Sequence, residues 1–327
     1  MPNRRDPETA GRRGGAGGGA PAPDAEQVLG AALGGLPPAL ADLPWELPHT
    51  FLGLDEVVPW EATTSYGGGT RLGPRAILEA SRYIELYDQE LDAEPGAEMG
   101  VHTLPSLELT RAGAREAMDE LRHAYARIAE AAGDRFLLML GGEHAVSAPA
   151  ILAQAARHPG RISVLQMDAH ADLRPEYEGT PHSHASAMAR VLPEADVVAV
   201  GIRAVSREEV VLSRASDAST IVWAEEMRDG EGWMDRAVEA LGDDVYLTFD
   251  VDYFDPSLVP STGTPEPGGG EWHATLRFLR RVFQEKNVVA ADVVELAPTP
   301  GLHAPDFLVA KLVYKLLAYR FESEAAR

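Results

Sequence analysis

The sequence predicts an α/β fold in which a parallel sheet is covered by helices on both faces. Three observations predict it. Short apolar runs recur along the chain, as buried parallel strands require. Helix-like stretches separate them, the alternation that a βα succession leaves in a sequence. Three of the runs end in potential metal ligands, where sites form at the carboxyl edge of a parallel sheet. In order, strands are expected near 50–54 and at 136–140, 162–167, 196–202, 220–223, 245–251 and 288–294. Helices are expected at 75–83, opened by Pro74, and at 110–132, 145–157, 183–192, 232–241 and 274–284. The last, at 304–320, has Pro305 in its first turn and Phe307, Leu308, Leu312 and Leu316 at helical spacing.

The chain has 327 residues, enough for one large domain or two smaller ones. Residues 45–320 contain neither a linker nor a repeat, which favours a single domain over 26–327. Residues 1–25, rich in Gly, Ala, Pro and Arg, have no apolar periodicity and read as a disordered tail. Their two Arg pairs lack the apolar stretch of an export signal. With no cysteine, disulfides and thiolate chemistry are excluded. A formal charge of −22 disfavours nucleic acid and anionic membranes as partners, and no apolar run is long enough to span a bilayer. An acidic field attracts a cationic substrate, although it also serves plain solubility.

Two strings carry the chemistry: Asp168-Ala169-His170-Ala171-Asp172 and Asp250-Val251-Asp252. Side chains alternate along a strand, so Asp168, His170 and Asp172 would share one face if strand geometry persists, as would Asp250 and Asp252. The apolar run 136–140 leads into Gly141-Gly142-Glu143-His144 and delivers a third contribution. Four carboxylates and imidazoles meeting at one point would repel without cations between them. The donor set is oxygen-rich with a minority of imidazole, which suits Mn²⁺ better than structural Zn²⁺. Asp255-Pro256 reads as a turn and stays outside the ligand set.

The strings GGEHAVS, DAHADLR, SHASAMAR, TFDVDYFDP, STGTPEPGG and DVVELAP, with PWEATTSYGGGTRLGPRAILEAS before them, resemble the successive motifs of the arginase/agmatinase ureohydrolase family, from about Leu52 to Tyr319. TGTPEPGG resembles the agmatinase branch. The resemblance implies a three-layer α/β/α fold with a parallel eight-stranded sheet, two Mn²⁺ per chain and hydrolysis of a guanidinium group to urea. It implies that His144, Asp168, Asp172 and Asp250 bind one ion and Asp168, His170, Asp250 and Asp252 the other, with Asp168 and Asp250 shared. It makes Glu295 the carboxylate that holds the guanidinium and His184 the proton shuttle, which with Asp172 complete the catalytic set. Histidine suits that task because its free pKa lies near neutrality; His182, two residues away, is the competing candidate. Thr264 and Glu266 would line the pocket, while Gly268, Gly269 and Gly270 serve the turn. His49, His102, His123, His158, His273 and His303 belong to no motif.

Departures from the family pattern are Glu143, where Asp is usual, His184-Ala185-Ser186, where HGT is frequent, and FLGLDEVVPW, which lacks the usual apolar strand. Glu143 is expected beside the ligands, its extra methylene shifting His144 slightly. Arginase-type members carry Asn and Ser groups for a carboxylate tail after DAHxD; here the loop carries Glu176 and Glu178, which suit an ammonium tail. The expected reaction is therefore hydrolysis of agmatine to putrescine and urea, in polyamine biosynthesis, by a cytoplasmic homo-oligomer, trimeric or hexameric. N1-aminopropylagmatine is the alternative substrate, ahead of arginine and guanidinobutyrate. A metallophosphoesterase would need a GNHD/E string, which is absent. A single-zinc deacetylase does not account for both Asp strings. An inactive binding homologue would be expected to have lost a ligand.

Overall fold

The computed structural model describes residues 56–325. The tail at 1–25, the start of the domain and the strand expected near 50–54 lie outside the described residues. Among the described residues, seven strands form one sheet in the order β1-β2-β7-β6-β3-β4-β5, every neighbouring pair parallel. They are β1 (Glu56–Val58), β2 (Leu137–Gly141), β3 (Ser163–Met167), β4 (Asp196–Ile202), β5 (Ser219–Trp223), β6 (Asp244–Asp250) and β7 (Asn287–Val294). The expected parallel α/β fold is present, but the described sheet has seven strands rather than eight. Within the described residues β1 comprises Glu56–Val58.

Alternation along the strands builds two apolar layers. Val245, Leu247 and Phe249 of β6 join Leu138, Leu140, Leu165, Met167 and Val293 under the helices Gly73–Ser81, Gly232–Ala240, Trp272–Glu285 and Ala304–Ala325. Tyr246 joins Leu137, Met139, Val164, Ala199 and Ala290 under Ala114–Ala132, Ser147–Ala155 and Ala187–Val191. Thus residues i and i+1 of one strand serve opposite cores, which is the three-layer arrangement read from the backbone pleat.

Two helices were not anticipated, Pro95–Met99 and Arg207–Arg214. The second had a legible start: Ser206 accepts from the Glu209 N–H while the Glu209 carboxylate accepts from the Ser206 N–H, the reciprocal cap encoded by S-x-x-E. The last helix runs to Ala325, and its Lys315 ammonium donates to Asp88 and Glu90 at 2.7–2.9 Å. That cluster fastens the loop before Pro95 to the C-terminal helix.

The chain lays down β1 and β2 at one side, crosses to β3, builds outward through β4 and β5, then returns with β6 and β7 between β2 and β3. The carboxyl ends of β2, β7, β6 and β3 are therefore adjacent, and a crevice at such a reversal of strand order is where α/β sheets place ligands.

Candidate metal centre

Strand alternation does not by itself produce the convergence at this edge. β3 ends at Met167, so Asp168, His170 and Asp172 all lie beyond it. Asp168 is turned by its own loop, Oδ1 accepting from the His170 N–H at 2.6 Å and Oδ2 from the Gln166 amide at 2.8 Å. Asp172 reaches the cluster from a left-handed backbone, φ 53°. β6 likewise stops at Asp250, and Asp252 sits in a 3₁₀ turn whose N–H bonds Asp250 Oδ1 at 2.9 Å. The expectation of an extended DxHxD is corrected: tight turns aim these ligands, and the strands only deliver them.

The result is a compact set. His144 Nδ1 lies 3.0 Å from Asp168 Oδ2, 3.0 Å from Asp172 Oδ2 and 3.3 Å from Asp250 Oδ2. His170 Nδ1 lies 2.9 Å from Asp252 Oδ2 and 3.6 Å from Asp168 Oδ1. Two groups, His144–Asp168–Asp172 and Asp168–His170–Asp252, each bring one donor atom per residue within 4.8 Å, and Asp168 belongs to both. Asp250 joins the first through its contact with His144.

The donor chemistry fits divalent cations. One imidazole N–H cannot serve three carboxylates, and buried His144 Nδ1 has no hydrogen-bond partner of acceptable geometry. No Lys or Arg lines the cleft among the described residues. Left to themselves, the side chains answer the crowding with protons. Burial, then the neighbouring Asp168 charge, raises Asp172 to about 7; burial, then Asp252 and Asp168, pushes Asp250 well above the carboxylate range. His170 is pulled down by burial, but the Asp252 and Asp168 carboxylates outweigh this and raise it to about 12. Those positive-charge demands are what cations satisfy.

A cleft of about 330 Å³ opens over this cluster. Its walls include Ser65 and Tyr66 from the first loop, His184, Thr264 and Glu295. Glu295 stands at the end of β7 in a left-handed conformation, φ 68°, and its Oε1 accepts the His144 N–H at 2.7 Å. Two non-glycine residues with positive φ, Asp172 and Glu295, thus face one site, where backbone strain commonly accompanies function.

His184 lines the cleft, its Nε2 3.3 Å from Ser65 Oγ and its ring edge-on to Tyr177. Burial, relieved in part by the Thr63 contact, lowers it to about 4. The free pKa that made histidine apt is therefore not the one this pocket supplies, and His184 is neutral at pH 7. His182 instead bonds Thr180 through its N–H and does not line the cleft.

Several expected neighbours are elsewhere. Glu176 and Glu178 are exposed and do not line the cleft, because Tyr177 and Thr180 exchange backbone bonds and turn the loop tip outward at Glu178 (φ 48°). Tyr177 is the residue that this turn directs inward, with the Arg174 guanidinium 4.9 Å from its ring centre. Glu266 also stays out of the cleft, its carbonyl held by Arg203 Nη2 at 2.7 Å. Glu143 does not crowd the ligands. Its carboxylate turns back and accepts from the Ala62 N–H, the Thr63 N–H and the Thr63 hydroxyl at 2.7–3.0 Å. Gly142 is required there, since a Cβ would overlap the Trp60 carbonyl. Asp255 caps its own turn, accepting from the Ser257 and Gly268 N–H groups.

Arg203 was not anticipated. Its guanidinium donates to the carbonyls of Asp252, Phe254 and Glu266 and so holds the Asp252 turn against the TGTPEP loop. An arginine placed directly after an apolar strand carries no sequence signal for that task.

Residues 57–318 match the Arginase family. The chain belongs to that family. It is a ureohydrolase, a hydrolase of amidino carbon–nitrogen bonds, on the agmatinase side of the family. It is 40% identical over 273 residues to an N(1)-aminopropylagmatine ureohydrolase of Synechocystis sp., covering 82% of this chain and 88% of the relative. An agmatinase of Bacillus cereus is 34% identical over 253 residues, covering 74% and 82%. The proclavaminate amidino hydrolase of Streptomyces clavuligerus superposes with a TM-score of 0.77 at 28% identity, covering 88% of this chain and 98% of that one. The arginase family requires a binuclear metal centre, and the donor set above fits one. Among the described residues, no helix is long and apolar enough to cross a membrane.

Proposed function

We propose that this chain hydrolyses the guanidinium group of N1-aminopropylagmatine, releasing urea and leaving an amine. The observation that carries the choice is the gradation among relatives: 40% identity to an enzyme named for that substrate against 34% to an agmatinase. Agmatine is the second reading, since its guanidinium end is the same and the cleft is equally acidic toward it.

His144, Asp168, Asp172 and Asp250 would hold one divalent ion and Asp168, His170, Asp250 and Asp252 the other, Mn²⁺ being favoured by oxygen-rich donors. When bound, such a pair supplies Lewis acidity that lowers the pKa of a water at the centre. The chain's own residues do the rest. Glu295 presents a carboxylate beside the cluster, and a planar guanidinium is best held by such a group. Its His144 N–H contact and its left-handed backbone fix the direction of that carboxylate. Thr264 and Ser65 offer hydroxyls along the wall. His184, neutral and held by contacts with Thr63 and Ser65, would take a proton from the reacting centre and return it to the leaving amine. The substrate tail would leave past Tyr66, which is 87% exposed at the mouth. Glu176 and Glu178 have no place in this scheme.

The test is urea release from N1-aminopropylagmatine, agmatine, arginine and guanidinobutyrate with Mn²⁺ supplied. The highest kcat/KM is expected for N1-aminopropylagmatine. A preference for agmatine selects the second reading, and turnover of neither amine rejects both.

A further inference from the structure

Behind the ligand His144 lies a buried polar chain whose purpose the reaction scheme does not explain. His144 Nε2 is 2.9 Å from Thr248 Oγ1. Thr248 Oγ1 donates to Asp292 Oδ1 at 2.6 Å, and the Tyr246 hydroxyl donates to Asp292 Oδ2 at 2.8 Å. Tyr246, Thr248 and Asp292 are each 0% exposed, and His144 is 1% exposed. A carboxylate this deep costs several kcal/mol in an apolar layer unless something requires it, and burial indeed pushes Asp292 above the ordinary carboxylate value.

The sheet places this chain deliberately with respect to the site. Thr248 and Asp292 are register partners on β6 and β7. Tyr246, Thr248 and Asp250 lie two residues apart on one strand and so face the same side. The face that ends in Asp250 is thus polar for two positions further down, joined there by buried Ser147 and by Gln166, the β3 register partner of Thr248, in a layer that also holds Leu137, Met139, Ala290 and Val294.

Hydrogen-bond direction then decides the state of His144. The Thr248 hydroxyl has one proton and two acceptors in reach, Asp292 Oδ1 at 2.6 Å and Ser147 Oγ at 3.3 Å; the short bond to the carboxylate takes the proton, and Ser147 can donate in return. Toward His144 the oxygen offers only a lone pair, so Nε2 must carry the imidazole proton. Nδ1, which faces Asp168, Asp172 and Asp250 at 3.0–3.3 Å, is left to present its lone pair once a cation displaces any proton held there. We propose that Asp292 and Thr248 are positioning residues that set the Nε2–H tautomer of His144 and thereby the cation affinity of the site containing it. This rests on the two-ion reading above and deepens it.

The test is a titration of the metal-stripped protein with Mn²⁺, followed by the electron paramagnetic resonance signal of free Mn²⁺. Wild type is expected to take up about two ions per chain. Thr248→Val keeps the shape and removes the acceptor; one of the two sites should weaken by roughly 10–100-fold while the other keeps its affinity. Thr248→Ser restores the hydroxyl and should restore both sites. Should Thr248→Val fail to fold because it leaves Asp292 facing apolar surface, Thr248→Val with Asp292→Asn relieves that charge and carries the same expectation. Two wild-type affinities in a folded Thr248→Val or double variant would overturn the proposal while leaving the metal reading intact. Equal weakening of both sites, or no rescue by Ser, would also overturn it. No uptake by wild type would overturn the metal reading as well.

Discussion

Thr63 links Glu143 to His184: its hydroxyl donates to Glu143 Oε1 at 2.7 Å and accepts the His184 N–H at 3.2 Å. One threonine oxygen therefore ties the loop after β1, the turn after β2 and the loop that carries the candidate shuttle. Glu143 is buried, and burial raises it in spite of the Thr63 and Ala62 hydrogen bonds. The longer glutamate, where the family usually shows aspartate, reaches back to this loop rather than forward to the ligands.

Removing that link should act on turnover, not on metal content. Thr63→Val is expected to lower kcat by about 10–100-fold, the scale on which a small displacement of a catalytic group is felt. Metal analysis should remain unchanged. A variant with normal kcat would show that His184 does not depend on this tether.

The two histidines in the PHSHAS stretch should differ sharply. His184→Ala is expected to lose roughly 10²–10⁴-fold in kcat and similarly in kcat/KM, as loss of general acid–base help does. His182→Ala, whose side chain does not line the cleft, should stay near wild type. Steady-state urea release decides it; the reverse ranking would reassign the shuttle.

Glu176→Gln and Glu178→Gln, singly or together, should leave kcat/KM for either amine substrate within about twofold at physiological salt, because exposed charges outside the cleft are largely screened. A tenfold rise in KM would return these residues to tail recognition.

Much of this was legible in the sequence. The ligand residues could be read because His, Asp and apolar runs leave a pattern that composition alone rarely produces. Six of the seven described strands lie where the apolar runs predict them. The turns were not legible. Strand geometry stops at Met167 and Asp250, and the ligands beyond are aimed by φ values and local hydrogen bonds that residue spacing does not encode. The same blindness sent Glu176 and Glu178 into the pocket, when the turn at 177–180 directs Tyr177 inward and the glutamates out. Thr248 and Asp292 did carry a signal. A Thr and an Asp interrupt two buried strands, and Thr248 is in phase with Asp250.

Acid should loosen the attachment of the C-terminal helix. Burial tends to raise the Glu90 carboxyl, but hydrogen bonds from Lys315 and Tyr319 and the Lys315 charge bring it below its ordinary value of 4.5. A depressed folded pKa means the contribution is complete above the unfolded value and is lost as pH falls through the folded one. Lys315→Met, which strands Asp88 in a buried position, should cost about 3–5 kcal/mol near pH 7. The cost should shrink as pH falls from about 4.5 through the lower folded value of Glu90. Urea denaturation of both proteins across that range checks it; an equal difference at every pH would mean the ion pairs are not the source.

Turnover should depend on the metal centre before anything else. Chelator-stripped protein should release no urea from N1-aminopropylagmatine, and activity should return as Mn²⁺ is added, levelling at about two equivalents per chain. Undiminished urea release from the fully stripped protein would contradict it.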